Sequence, residues 1–167
     1  MNPMMHIVLH EPEIPANTGN IGRSCVSTGA HLHLIRPLGF SLDEKYLRRA
    51  GLDYWKDLNV TVYEDYQDFL AKNPGARIWY ATTKARQVYT DAVFSDGDFL
   101  MFGKESAGIP EEILVEDPER CIRIPMVKDN RSLNLSNSVA VVLYEALRQQ
   151  EFPGLEREGK LHHLSWK

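Results

Sequence analysis

Residues 122–147 read IRIPMVKDNRSLNLSNSVAVVLYEAL, and this stretch joins three kinds of sequence. An alternating run ends at Pro125, a polar loop follows, and residues 139–147 form an apolar run with helical spacing. The polar part places six hydrogen-bonding side chains around Leu133 and Leu135. Such a segment is too polar for the hydrophobic core. Unpaired backbone N–H groups at the start of a helix favour polar or anionic ligands. The stretch therefore predicts a strand, a ligand-binding loop and a helix.

A simpler interpretation is that Ser136 and Asn137 only cap this helix, which is the common use of such residues at that place. A cap needs one polar side chain, however, and the segment has a cluster of them. The surplus indicates a function beyond capping.

Outward from this stretch, the chain alternates between strand-like and helix-like patterns. Short apolar or alternating runs bounded by turn residues predict strands at residues 7–9, 32–35, 60–63, 78–81, 99–102 and 121–124. Helical patterns lie between them, over residues 20–28, over residues 65–72, and from a capping box at 41–44 to Gly51. This alternation predicts an α/β fold, with a mostly parallel sheet and helices on both of its faces.

Length and composition limit the possible classes of protein. The 167 residues fit one domain, which we expect to span residues 1–154, followed by a polar tail over residues 155–167. Apolar residues make up 43% and charged residues 25%, as in an ordinary globular protein. No apolar run is long enough for a membrane span, and no secretory signal begins the chain. We therefore expect a cytoplasmic protein without membrane contact, whose two cysteines, Cys25 and Cys121, are buried thiols.

Charge is distributed unevenly along the chain. The net charge of −4 argues against bulk electrostatic coating of nucleic acid. Residues 77–90 nevertheless contain three basic side chains and no acidic one, and residues 120–131 contain four basic side chains against one aspartate. A solvated surface can show the same scatter, so these patches permit an RNA partner without requiring one.

Four loops follow predicted strands, and in parallel α/β sheets ligands bind beyond the carboxyl ends of the strands. Residues 11–23 form a Pro-rich turn leading to an Asn- and Gly-rich helix start that carries Arg23. Residues 81–84 form a short polar strand end, and residues 103–110 place two glycines around Glu105. The fourth loop is the polar segment described first. Taken singly, the first two are also explained as a tight strand-to-helix turn and a plain strand end.

Together, these loops resemble one known family. Residues 17–23 (NTGNIGR), 100–110 (LMFGKESAGIP) and 122–126 with 132–139 (IRIPM, SLNLSNSV) are similar to the three ordered motifs of the SPOUT-class RNA 2′-O-ribose methyltransferases. Residues 48–54 (RRAGLDY) and 144–146 (YEA) resemble the minimal branch that methylates cytidine or a modified uridine at the wobble position of tRNA, typically in leucine tRNAs. The resemblance covers residues 5–154.

The resemblance implies several properties. It implies a C-terminal trefoil knot that forms the methyl-donor pocket, a homodimer with the site near the subunit interface, and the anticodon stem-loop of tRNA as partner. S-adenosyl-L-methionine is the implied cofactor, and no metal is implied, because the sulfonium is already an activated electrophile. The donor pocket is expected to be lined by Ala81, Thr82, Gly103, Ile124, Ser132 and Leu133.

Catalytic and RNA-binding roles also follow from the resemblance. Arg23 matches the family's proposed base, with Asn17, Ser132 and Asn134 positioning it and the ribose, and with Glu105 nearby. A guanidinium with a pKa above about 12 is a reluctant base, so Arg23 has the alternative role of orienting a phosphate. The expected tRNA contacts are Lys45, Arg48, Arg49 and Tyr144; for Tyr144, the alternative is a core residue of the last helix.

Two rival classes remain open on the sequence. One is a nucleotide-binding oxidoreductase or hydrolase with a doubly wound fold. This class is weakened because the sequence contains no GxGxxG fingerprint, no Ser/His/Asp arrangement and no GxSxG motif. A non-catalytic RNA-binding protein would rest on the basic patches alone, and a methyltransferase for another tRNA or rRNA position is a further alternative. Binding of the methyl donor separates the methyltransferases from the other two classes.

Overall fold

The computed structural model describes residues 4–43, 45, 53–129 and 133–167. The predicted capping-box helix therefore lies largely outside the described residues, as do Arg48, Arg49 and Ser132. No helix among the described residues combines the length and the apolar character that crossing a membrane requires.

Six strands in the described part of the chain form one parallel sheet. They are β1 (His6–His10), β2 (His31–Ile35), β3 (Val60–Tyr63), β4 (Ile78–Ala81), β5 (Phe99–Phe102) and β6 (Cys121–Ile122). Each strand coincides with a predicted run, and every pairing is parallel, as the alternating pattern predicted. The last strand ends two residues earlier than predicted. The following Arg123 instead pairs with Val88, with N–H···O bonds of 2.9 Å to Gln87 and from Tyr89.

The described α-helices are α1 (Pro15–Thr28), α2 (Tyr66–Lys72), α3 (Glu111–Leu114) and α4 (Leu135–Gln149). Short 3-10 helices cover Asp53–Asp57, Tyr89–Asp91 and Pro118–Arg120. The prediction placed the start of α1 at residue 20 and the apolar run of α4 at residue 139, so both helices begin earlier than their apolar patterns indicated. Pro15 suits the first turn of α1, and Gly29 ends the helix with a left-handed φ of 76°.

The sheet is covered on both faces, because alternate side chains of each buried strand point to opposite sides. On one face, Ile7, Leu9 and Leu100 pack against Ile21 of α1 and Leu143 of α4. The other face carries a second core cluster, in which α2 supplies Phe69 and α3 supplies Leu114. The prediction of helices on both faces is confirmed. Side chains of residues 156–167 are exposed, whereas Leu155 packs against the first core.

The strand order is β3-β2-β1-β5-β4-β6. The strands β2 and β3 therefore lie on one side of β1, and the later strands β4, β5 and β6 lie on its other side. The order reverses between β1 and β5, which are paired with Leu9 opposite Phe102. Crevices at such reversals, beyond the carboxyl ends of the strands, are where open α/β sheets bind ligands. The loops after β1, β4, β5 and β6 all leave the sheet at this edge.

Candidate active site

A cavity of about 690 Å³ lies at the carboxyl edge of the sheet, within the range that binds nucleotide-sized ligands. All four loops singled out from the sequence contribute to its lining. The lining residues are Ile14, Asn17, Ala81, Thr82, Thr83, Lys84, Tyr89, Phe102, Gly103, Lys104, Glu105, Ser106, Ala107, Gly108, Ile109, Ile122, Arg123, Ile124, Met126, Leu133, Asn134, Leu135, Ser138 and Val142.

The loop after β5 closes tightly on itself at Gly103. A Cβ atom at this position would meet the backbone carbon of Gly108 at 2.0 Å and the nitrogen of Ile109 at 2.2 Å. The loop returns through an antiparallel bridge between Lys104 and Gly108, and Gly108 has a φ of 73°. Only glycine fits at residue 103, because no real Cβ atom approaches backbone so closely. At Gly103 the cavity floor is therefore backbone rather than side chain.

The ends of β4 and β6 form the opposite wall of the cavity. The N–H of Thr82 donates to the carbonyl of Ile122 at 2.9 Å, which holds the two loops together after the strands end. Beyond this bond, Ile124 and Leu133 contribute apolar side chains. The wall thus combines an apolar surface with main-chain polar groups, a suitable environment for a flat heterocycle such as adenine.

The Glu105 carboxylate joins the loop after β5 to the start of α1. It accepts hydrogen bonds from the N–H of Glu13 at 2.9 Å, from the N–H of Ile14 at 3.0 Å and from Asn17 Nδ2 at 3.1 Å. A negative charge at a helix start is stabilised by the helix dipole. Through these three hydrogen bonds, Glu105 positions the first turn of α1.

A second carboxylate strengthens the same junction. The N–H of Ser106 donates to Glu13 Oε1 at 2.9 Å, so the segment around Glu13 and the loop around Glu105 each donate a backbone N–H to the other. The hydrogen bonds from Ser106 hold the pKa of Glu13 below its usual range. Both loops are thereby fixed relative to each other at the mouth of the cavity.

Asn17 and Asn134 extend this network to α4. The buried Asn17 side chain donates to Glu105 and accepts from Asn134 Nδ2 at 3.1 Å. Asn134 Oδ1 in turn accepts from the backbone N–H of Ser136 at 2.9 Å and of Asn137 at 3.3 Å. Asn134 is therefore the N-cap of α4, and the alternative that Ser136 and Asn137 cap the helix is wrong. The relay Glu105–Asn17–Asn134 connects three loops that are far apart in sequence.

The structure brings most of the candidate site residues together. Of the six residues expected to bind the cofactor, Ala81, Thr82, Gly103, Ile124 and Leu133 line the cavity, and Ser132 is outside the described residues. Of the expected catalytic residues, the three relay members also line it. Arg23 is exposed on α1 and is not among the lining residues. Lys45 is exposed, and Tyr144 lies on α4 with 43% of its surface accessible.

Sequence reasoning missed several lining residues. Tyr89 reaches the cavity because its segment pairs with Arg123 beyond the end of β6, and Ser138 reaches it because α4 begins at residue 135. The extra pairing has no pattern in the sequence that would have indicated it. The early start of α4 could have been predicted from the sequence, since asparagine is a preferred N-cap residue and Asn134 directly precedes the helix. Lys84 lies in a loop already singled out, and it pairs with Glu111 at 2.8 Å.

Two relatives match nearly the whole length of the chain. The chain is 55% identical over 153 residues to the tRNA (cytidine(34)-2′-O)-methyltransferase of Escherichia coli K12, covering 90% of this chain and 97% of that one. It is 51% identical over 152 residues to the protein of the same name from Methylovorus glucosotrophus, covering 90% and 99%.

Among solved structures, it resembles one that concerns the 2-OH methylation of C/U34 on tRNA. The TM-score is 0.83 and the identity 45%, and the match covers 89% of this chain and 97% of that one. The model of the SpoU rRNA Methylase family matches residues 4–144. This match spans most of the chain and includes all six strands and the cavity loops, so the chain belongs to the SpoU methylase family.

Proposed function

We propose that this protein transfers a methyl group from S-adenosyl-L-methionine to the ribose 2′-hydroxyl of the wobble nucleotide, cytidine or a modified uridine at position 34, in tRNA. The observation that supports this most directly is the convergence of the motif loops on one cavity at the reversal of strand order, held together by the relay Glu105–Asn17–Asn134. Membership in a methylase family supplies the reaction class, and the names of the close relatives supply the substrate.

The cavity suits the methyl donor. Its backbone-lined floor at Gly103 and its apolar wall at Ile124 and Leu133 fit an adenine recognised by main-chain groups. When bound there, the donor supplies an activated methyl group, so that the new C–O bond forms as the C–S bond breaks and S-adenosylhomocysteine leaves. Ala81 and Thr82 line the opposite side, and Ser132 belongs to the same proposed set.

The hydroxyl must be aligned with the methyl carbon and must lose its proton during transfer. Asn17 and Asn134 line the cavity, and we assign to them the orientation of the ribose, while Glu105 keeps Asn17 in place. Arg23 is the proposed residue that assists deprotonation or orients a substrate phosphate. Because a guanidinium rarely gives up its proton, electrostatic orientation of a phosphate is the role that its chemistry favours.

The tRNA surface extends beyond the cavity. We assign to it Lys45, Arg48 and Arg49 as phosphate contacts and Tyr144 as an aromatic support, with the anticodon stem-loop of leucine tRNAs as the preferred substrate. A site at another RNA position is the competing substrate, because the family is named for rRNA while the close relatives are named for tRNA. A cytoplasmic location follows from a tRNA substrate.

A homodimer is also part of the proposal. Exposed apolar side chains lie on two helices that pack together, Val26 on α1 and Val141 on α4. Arg23 is three residues from Val26, so both face the same side of α1. A second copy bound to this face would lie against Arg23 and add its own basic residues to the tRNA surface. The trefoil knot is proposed for the C-terminal part on family grounds.

The test is methyl transfer from labelled S-adenosyl-L-methionine to tRNA that lacks the modification, followed by nuclease digestion and mass spectrometry. We expect one methylated ribose at position 34 in leucine tRNAs, lost in Arg23→Ala. Arg148→Ala is the matched control, because Arg148 lies in the last turn of α4 and forms its ion pair with Glu145 of the same helix. Donor binding with methylation at a different RNA position would refute the substrate, and absence of donor binding would refute the enzyme.

A further inference from the structure

Three histidines meet at the amino-terminal edge of the sheet, opposite to the cavity. His6 begins β1 and His31 begins β2, and the two are direct partners in the parallel register. His33 lies two residues further along β2, so its side chain is on the same face as that of His31. One ring nitrogen from each of the three lies within 4.8 Å of the other two. The methyl-transfer reaction described above uses none of them.

Two of the three rings, His31 and His33, already have the secondary contacts that are usual for metal-binding histidines. His33 Nδ1 lies 2.7 Å from the Tyr63 hydroxyl, and His33 Nε2 lies 2.8 Å from His6 Nδ1. His31 Nε2 lies 2.8 Å from Thr61 Oγ1, which leaves Nδ1 of His31 for coordination. In metal sites, the non-ligating N–H of a histidine usually donates to such an oxygen, which fixes the ring and its tautomer.

The Tyr63 hydroxyl allows both protonation patterns of His33. It can donate to Nδ1, in which case Nε2 carries the proton and donates to His6. It can instead accept from Nδ1–H, because a hydroxyl has two lone pairs, and it already accepts from Asn73 Nδ2 at 3.2 Å. The second pattern frees the lone pair of His33 Nε2 in the direction of His6. Rotation of the Tyr63 hydroxyl, together with transfer of the ring proton from Nε2 to Nδ1, therefore prepares His33 for a cation.

The surroundings keep the rings ordered and neutral. His6 stacks on Phe99 with 4.0 Å between ring centroids, and His31 stacks on His33 at 4.1 Å. His33 is only 2% exposed. Burial lowers the pKa of His6 to about 4 and that of His33 to about 3, and it also lowers the pKa of His31. Neutral imidazole is the form that binds metals, and burial favours that form of each ring.

We propose that His6, His31 and His33 bind one divalent transition-metal ion of the type that prefers imidazole, with Zn²⁺ as the best fit and with water in the fourth position. Three imidazoles with an open fourth site match the tetrahedral preference of zinc. With Zn–N bonds of about 2.0–2.1 Å, two ligand nitrogens stand about 3.3 Å apart. The 2.8 Å between His6 Nδ1 and His33 Nε2 must then widen by roughly half an ångström, which a small ring rotation provides.

This site is independent of methyl transfer. It joins β1 to β2 at the edge where both strands begin, whereas the donor cavity lies beyond the strands' carboxyl ends. A metal bound there favours the folded state, because the three ligands come together only after the strands pair. The expectation that the methylation chemistry needs no metal is unaffected.

The test uses the untagged full-length chain after treatment with a chelator. Titration with Zn²⁺ by calorimetry, and the visible absorption of Co²⁺ as a probe of coordination number, give stoichiometry and geometry. The variant is His6→Asn with His31→Gln. Each amide replaces the ring nitrogen that hydrogen-bonds to His33 or to Thr61, while metal coordination is weakened. The matched control is His162→Gln with His163→Gln, because these two exposed tail histidines lie outside the cluster.

We expect one four-coordinate ion per chain in the parent protein and in the tail control, with affinity at least about tenfold weaker in the cluster variant. Unchanged binding of S-adenosyl-L-methionine, at the other edge of the sheet, shows that the variant is folded. The single variant His31→Gln repeats the comparison if the double variant unfolds. Absence of stoichiometric binding, binding unchanged in the cluster variants, or binding lost in the tail control would each overturn the proposal.

Discussion

At the scale of single residues, Glu105 connects the loop after β5 to the first turn of α1, and its replacement tests that connection. Glu105→Gln removes one of the two carboxylate oxygens that accept from Glu13 N–H, Ile14 N–H and Asn17 Nδ2. An amide N–H then faces a backbone N–H, and a partly buried donor loses its acceptor, which costs about 1–3 kcal/mol. We expect this decrease in the free energy of unfolding, measured by urea denaturation, together with slower methyl transfer.

The matched control for this experiment is Glu112→Gln. Glu112 is an exposed glutamate in the first turn of α3, so the same change of charge removes none of the hydrogen bonds described above. We expect its stability to stay within about 0.5 kcal/mol of the parent protein. Equal stability of the two variants would show that Glu105 does not hold the junction.

Gly103 provides a second test at this scale. In Gly103→Ala the new Cβ meets the backbone of Gly108 and Ile109, so the loop must move and the cavity floor moves with it. Overpacking of this kind costs about 1–3 kcal/mol, and we expect weaker binding of S-adenosyl-L-methionine in calorimetry. Gly159→Ala is the control, since a Cβ there meets no atom within 4 Å. Normal donor affinity in Gly103→Ala would contradict the assignment of this loop to the donor.

Residue identities were easier to anticipate than residue contacts. The glycine pair and Glu105 could be singled out because a strand followed by a glycine-rich loop is visible in a short window of sequence. The partners of Glu105 could not be, because Glu13, Ile14 and Asn17 are 88 to 92 positions away. The histidine cluster was missed for the same reason: His6 and His31 become neighbours only through strand register.

At the scale of elements, Asn134 carries two functions that one substitution separates. Its Oδ1 caps α4, whereas its Nδ2 donates to Asn17. Asn134→Asp keeps an acceptor for the cap and adds a negative charge that suits a helix start, but it removes the donor. We expect nearly unchanged stability and a reduced rate of methyl transfer.

Asn134→Ala serves as the comparison, because it removes both functions. Loss of the cap costs about 0.5–2 kcal/mol, so this variant should lose stability as well as activity. Urea denaturation and single-turnover methyl transfer measured on both variants distinguish the two roles. If Asn134→Asp transfers methyl groups at the parent rate, then the bond to Asn17 has no part in the reaction.

Strands were predicted more accurately than helix starts. A buried parallel strand is a short, continuous apolar run, so its limits are visible in the sequence. The first turns of α1 and α4 are polar, since they face the cavity and the relay, and apolar periodicity therefore begins only in their second turns. The prediction failed where the helix carries the site rather than the core.

At the scale of the whole molecule, alternation in the sequence predicted the fold class but not the strand order. Which strand pairs with which depends on crossovers whose direction leaves no local pattern, and the reversal between β1 and β5 creates the cavity. The motif loops were identified before their convergence was known. Convergence was anticipated because carboxyl ends of parallel strands share one edge of a sheet, and because the family resemblance implies one donor pocket.

The proposed dimer is tested on the face formed by α1 and α4. Val141 lies on the exposed side of α4, four residues after Asn137 and three before Tyr144, both of which are also exposed. Val141→Glu would place a carboxylate inside the apolar interface of the dimer, where an unpaired charge costs several kcal/mol. In a monomer the same carboxylate would remain hydrated, so the substitution favours the monomer. We expect sedimentation velocity to show the parent protein at twice the chain mass and this variant at the mass of one chain.

The control is Val115→Glu, at an exposed valine just after α3, and this variant should remain dimeric. A monomeric parent protein would refute the dimer, and a dimer that tolerates Val141→Glu would place its interface on another face of the chain.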